Sequence, residues 1–163
     1  MNFDAVKILA GAASEEDGGL DAFLKTFYAP SEKSQAAGRA HWARMTNARS
    51  NRTGLGTENS TKRQLAAAGN FFDSAKAAEG SYDRLREITI PVLVANGSAD
   101  VLTPTANSWV LYKKLPNAHL HLFPDSGHGF LNEYASVFAG MVMEFLDKWG
   151  FEGEKEVVGS SRL

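Results

Sequence analysis

The 163-residue sequence contains no cysteine, which excludes disulfides, thiolate-held zinc and a cysteine nucleophile. Long apolar runs are missing too. Stretches such as Val92 to Ala95 fall far short of the roughly 20 residues that cross a bilayer. The first residues, Met1, Asn2, Phe3 and Asp4, lack the basic start and apolar stretch of a secretory signal. Charge of neither sign is in excess: 17 basic and 19 acidic side chains leave a net −2. Such a balance gives no global attraction to nucleic acid or to an anionic membrane. The four histidines show no metal-ligand spacing such as HExxH, so neither a metal nor another cofactor is expected. By elimination the expectation is a soluble, cytoplasmic protein. Its length suits one ordinary domain, and its 44% apolar and 22% charged residues are those of an average globular chain.

What is present falls into two parts. Ala5 to Ala10 is a short apolar run ended by Gly11, and its Val and Ile favour a strand. Leu20, Phe23, Leu24 and Phe27 then fall at i, i+3, i+4 and i+7, the apolar face of a helix. Pro30 stops it, because the residue before a proline is pushed out of the helical region. Ser31 is a good N-cap for a next helix through Ala36, Ala40 and Trp42. Asn47 to Thr61 reads as a loop, and Lys62 to Phe72 as a further helix.

After Arg86 the pattern changes. Ile88 to Gly97 is nearly all apolar and β-branched, as in a parallel strand buried on both faces. Ser108, Leu111, Tyr112 and Leu115 repeat the helical spacing between Pro104 and Pro116. Ala118 to Phe123 reads as a second strand, and Tyr134, Val137, Phe138, Met141 and Phe145 as a final amphipathic helix. Strand, helix, strand, helix is a βαβα unit, which implies parallel strands and an α/β fold.

In open α/β sheets the functional groups sit in loops beyond the carboxyl ends of the strands. Two loops qualify here, Gly97 to Pro104 and Pro124 to Phe130. Neighbouring strands lie about 4.8 Å apart, so residues just past their ends can meet. Asp100 and His128 are the candidates. The carboxylate would fix the ring's tautomer and stabilise the imidazolium, and the imidazole would serve as general base and then general acid. The blander alternatives are a turn-forming Asp100 and a surface His128 in a flexible Gly-His-Gly turn, with Asp125 as the rival acid. His119 and His121, alternating along the strand, read as structural, and His41 as a surface residue. Arg39, Arg44, Arg49, Arg52, Lys62 and Arg63 read as a solvated helix face rather than a nucleic-acid site. The pairs Phe23/Phe27 and Phe71/Phe72 suit either ordinary packing or the wall of an acyl pocket.

Pro91 to Asp100 with Pro104, and Leu115 to Ala118 leading to Phe123-Pro124-Asp125-Ser126-Gly127-His128-Gly129-Phe130, resemble the seventh and eighth strands of α/β-hydrolases with their acid and histidine loops. The likeness is closest to the esterase and non-haem haloperoxidase-like branch. It implies a partial fold of about three parallel strands, with residues 1–13 as strand six and 14–84 as an inserted helical cap. Residues 85–150 would then be the C-terminal βαβα part and 151–163 a flexible tail.

One family element is missing. The serine nucleophile sits in a Gly-x-Ser-x-Gly elbow, and the only Gly-x-Ser here is Gly159-Ser160-Ser161, with no glycine two places on. The resemblance therefore implies a C-terminal hydrolase half that carries acid and base and is inactive alone. A half-sheet also exposes an edge and apolar helix faces. A homo-oligomer, or pairing with a complementary N-terminal half, is expected. A non-catalytic interaction or small-molecule-binding module is the alternative.

Overall fold

The computed structural model describes residues 19–48, 58–71 and 73–150. The strand expected at 5–10 and the tail at 151–163 lie outside these residues. Three helices come first: α1 (Leu20–Phe27), α2 (Glu32–Asn47) and α3 (Glu58–Phe71). Two short 3₁₀ segments, Ser74–Glu79 and Tyr82–Glu87, lead into β1 (Val92–Gly97). Then follow α4 (Thr105–Lys114), β2 (Ala118–Phe123), the single-turn α5 (Phe130–Glu133) and α6 (Ala135–Trp149).

Local chemistry sets these boundaries. Ser31 caps α2, its hydroxyl oxygen accepting from the Ser34 N–H at 3.2 Å. At the front of α4 the Thr105 hydroxyl donates to the Gly97 carbonyl at 2.7 Å, tying helix to strand end. Pro116 follows one residue after the capping Leu115. The first strand starts four residues later than its apolar run suggests. Pro91 cannot donate to a ladder, so pairing begins at Val92, directly opposite Ala118.

The strands pair in parallel over their full length, from Val92 opposite Ala118 to Gly97 opposite Phe123. Among the described residues the sheet is two-stranded. Leu85, Val94 and Leu115 form one buried cluster, flanked by Val92, Ala118 and Leu120. A second, in the helical first part, gathers Phe23, Leu24 and Tyr28 with Trp42 and Met45 packed against it.

The amphipathic reading of the later helices holds only in part. In α4 Ser108 is buried, but Leu111 and Tyr112 are exposed by more than a third. No residue of α6 is buried, and Val137, Met143 and Leu146 stand open. On the expected face of α6, Phe138 and Phe145 pack on Phe123 and His119, while Met143 and Leu146 lie off that face.

Phe123, at the end of β2, is 1% exposed and touches the rings of Phe130, Tyr134 and Phe138. It fixes the segment that follows the strand. Phe123→Ala should cost about 3–5 kcal/mol, read as a lower urea midpoint. A change below about 1 kcal/mol would show that this ring cluster does not hold the loop.

Candidate active site

Because the strands end in register, the loops that follow them emerge side by side and are stitched together by their backbones. The Ser98 N–H donates to the Phe123 carbonyl at 2.8 Å, and the Ala99 N–H to the Ser126 carbonyl at 2.9 Å. Gly97 is required here by space. A Cβ at that position would run into the carbonyl oxygens of Gly127 and Ser126. Buried Asn96 fastens the acid loop from beneath, its amide donating to the Thr103 carbonyl and to Ser108 Oγ.

This stitching brings Asp100 and His128 together, with Nδ1 of the imidazole 2.9 Å from Asp100 Oδ2. The carboxylate has no exposed side-chain surface, whereas the imidazole is 38% exposed. Oδ1 accepts the Leu102 and Thr103 backbone N–H groups at 2.8 and 2.9 Å. Oδ2 accepts the Thr103 hydroxyl at 2.8 Å in addition to the imidazole. An acceptor-only carboxylate so placed requires the proton on Nδ1. Nε2 is then the nitrogen that can receive one.

Burial acts to raise the Asp100 pKa. The hydrogen bond from His128, those from the Thr103 backbone and hydroxyl, and the attraction of His128 outweigh it, so the carboxyl lies below its usual value. Asp100 stays ionised, as a partner to an imidazolium must.

The rival acid, Asp125, faces elsewhere. It takes a left-handed backbone (φ 48°), and its Oδ2 accepts the Ser31 hydroxyl at 2.7 Å. The helical first part meets the histidine loop at two more points. The Gly129 N–H donates to the Phe27 carbonyl at 2.7 Å, and the Phe27 ring lies 5.2 Å from the His128 ring at 75°. Glu133 joins the same contact zone. Burial raises its carboxyl, hydrogen bonds from the Ser34 side chain and the Gly127 N–H act to lower it, and nearby Asp125 raises it.

His41 is not a bare surface residue. Its Nδ1 lies 2.6 Å from the Tyr28 hydroxyl. Burial lowers the His41 pKa, helped by Arg44, and burial pushes the phenol up to about 12, so the neutral phenol is the donor. His119 packs between Phe145 and Trp149, a structural role. Phe23 belongs to the core, and Phe71 is exposed. Among the described residues no group of His, Asp and Glu could hold a metal, and no helix is long and apolar enough to cross a membrane.

Sequence reasoning missed Thr103 and Asn96, and offered Phe27 only as packing or a pocket wall. A threonine three places after an acid and an asparagine closing a strand carry weak turn signals. Phe27 lies too far along the chain for any local pattern to link it to His128.

The Asp100 carboxyl titrates lower in the fold than in the open chain. Its contribution is therefore complete above its ordinary value of 3.8 and is lost as pH falls through the depressed one. Asp100→Asn should cost on the order of 2 kcal/mol at pH 7. That gap should close in urea titrations below pH 3.8. A gap independent of pH would contradict the buried ionised carboxylate.

Comparison with known proteins bears on the family and the fold. The model of the family described as Serine aminopeptidase, S33, matches residues 18–135. An alpha/beta hydrolase fold protein from Chitinophaga pinensis superposes with a TM-score of 0.73 at 30% identity, over 88% of this chain and 50% of that one. The poly(3-hydroxyalkanoate) depolymerase of Ectopseudomonas oleovorans is 41% identical over 64 residues, 39% of this chain and 22% of that protein. The 2-hydroxy-6-oxononadienedioate/2-hydroxy-6-oxononatrienedioate hydrolase of Cupriavidus pinatubonensis is 37% identical over 81 residues, 47% of this chain and 28% of that protein. The chain thus spans half the length of the solved relative and about a quarter of the curated ones. With its parallel strands and helices forming part of such a fold, the chain belongs to the serine aminopeptidase S33 family of α/β-hydrolases.

Proposed function

We propose that the chain supplies the acid and base of a Ser-His-Asp hydrolase acting on carboxylic-ester-type bonds, and is inactive alone because its sequence holds no nucleophile elbow. The observation that carries this reading is the 2.9 Å contact between His128 Nδ1 and a fully buried Asp100. In this role Asp100 holds the tautomer, Nε2 of His128 takes the proton of an attacking hydroxyl, and the imidazolium returns it to the leaving group. Residues 14–84 act as the cap over that site, and 85–150 as the part of the core that carries it.

Mixing the chain with a polypeptide that carries the first half of such a fold, elbow and oxyanion loop included, tests the reading. A p-nitrophenyl ester should be hydrolysed by the mixture and by neither half, and His128→Ala should remove about 10³-fold or more of the gain. No gain, or a gain indifferent to His128→Ala, rejects it.

A second reading concerns partners, and the uncovered surface favours it. The outer edge of β1 is unpaired among the described residues, and Trp109, Val137, Met143 and Leu146 are each more than half exposed. An open strand edge beside apolar helix faces favours association, with a second copy or with the complementary half. Size-exclusion chromatography with light scattering should return a dimer or larger species. A stable monomer at micromolar concentration counts against self-association.

A further inference from the structure

The histidine loop is held from outside as well as from the acid loop. Against the imidazole and its loop lies the end of α1, in the helical first part of the chain. There the Phe27 carbonyl accepts the Gly129 N–H at 2.7 Å. Gly127 leaves just enough room for that strand of backbone, since a Cβ there would sit 2.6 Å from the same carbonyl oxygen. The residue whose carbonyl anchors the loop also places its ring against His128, centroids 5.2 Å apart and planes at 75°. Phe27 is itself stacked on Phe23 at 4.9 Å, within the buried cluster of Phe23, Leu24 and Tyr28. The ring is therefore fixed to a packed layer and is not a free surface group.

We propose that Phe27 is a positioning residue for His128. Its ring blocks rotation of the imidazole away from Asp100, while its carbonyl fixes the loop that carries the imidazole. The proposal rests on the Asp100–His128 pairing described under the proposed function and extends it to a residue of the helical first part. The physical need is plain. Both hydrogen-bond contacts of the imidazole, to Asp100 Oδ2 at 2.9 Å and to the Thr103 hydroxyl at 3.3 Å, run through Nδ1. Among the described residues no hydrogen bond holds the Nε2 side, and at 38% exposure the ring has solvent to swing into. An edge-to-face aromatic neighbour removes those alternatives, and such a contact favours one orientation by roughly three- to tenfold. A helical layer that packs differently over the loop would then change how well base and acid are aligned, with no change to either residue.

The test uses the full chain labelled with ¹⁵N-histidine and follows the His128 Nδ1–H by NMR. Phe27→Leu removes the ring but keeps the main-chain carbonyl and most of the apolar volume, whereas Phe27→Tyr keeps the ring. Far-UV circular dichroism checks that both variants stay folded. In Phe27→Leu, exchange of the Nδ1 proton with water should rise roughly three- to tenfold and the ratio of the Nδ1–H to the Nε2–H tautomer should fall by a similar factor. Phe27→Tyr should remain within about twofold of the parent. Equal exchange and tautomer in Phe27→Leu and the parent would overturn the proposal. Asp100→Asn provides the separate control. It should abolish the protected proton in the parent, and a signal unmoved by it would overturn the acid–base pairing, and Phe27's role with it.

Discussion

Six residues of parallel ladder, ending together at Gly97 and Phe123, are the constraint from which the rest of this structure follows. Because the strands stop level, the next residue on each side is free to reach across, and the backbone does so twice, through Ser98 and Ala99. Asp100 is delivered by that seam rather than by its own turn. A register slip by one residue would turn Phe123 out of its aromatic cluster and carry the histidine loop away from the acid loop. The packing of one phenylalanine and the pairing of two ionisable groups are thus the same condition.

Around that seam the polar groups are arranged unequally. Asp100 is enclosed and takes four donors, two on each oxygen. His128 keeps an open side and a single partner of opposite charge. In the proposed role the enclosed group keeps its charge throughout, and the open group is the one that would exchange protons. Thr103 serves both by filling Oδ2 from the side, so that the carboxylate cannot turn that oxygen away from the ring. The helical first part adds a second set of ties through Phe27, Ser31 and Ser34. Its docking is polar at the rim and aromatic at the centre.

The parts legible in the sequence were those set by local patterns. The β-branched run before Gly97, the alternation at Ala118 to Phe123 and the spacing of Leu20, Phe23, Leu24 and Phe27 each report a strand or a helix face without tertiary help. Asp100 and His128 were legible because parallel topology forces strand-end loops into one neighbourhood. Phe27 is legible only as packing or a pocket wall, since nothing local connects position 27 with position 128. Asp125 stays a turn residue with a left-handed backbone, while His41 departs from a plain surface reading because its partner, Tyr28, comes from packing between segments. Periodicity marks the face a helix turns inward: in α6 Phe138 meets Phe123 and Phe130 and Phe145 meets His119, whereas Met143 and Leu146, off that face, stand open.

The two glycines at the seam carry a consequence of a different kind. Neither Gly97 nor Gly127 can accept even a methyl group, because the opposing atoms are main-chain carbonyls that cannot rotate aside. Every replacement at Gly97 therefore wedges the two loops apart, and every replacement at Gly127 wedges the histidine loop away from the end of α1, whatever its chemistry. For directed evolution the seam is closed ground, and diversity has to be sought in the side chains that border it.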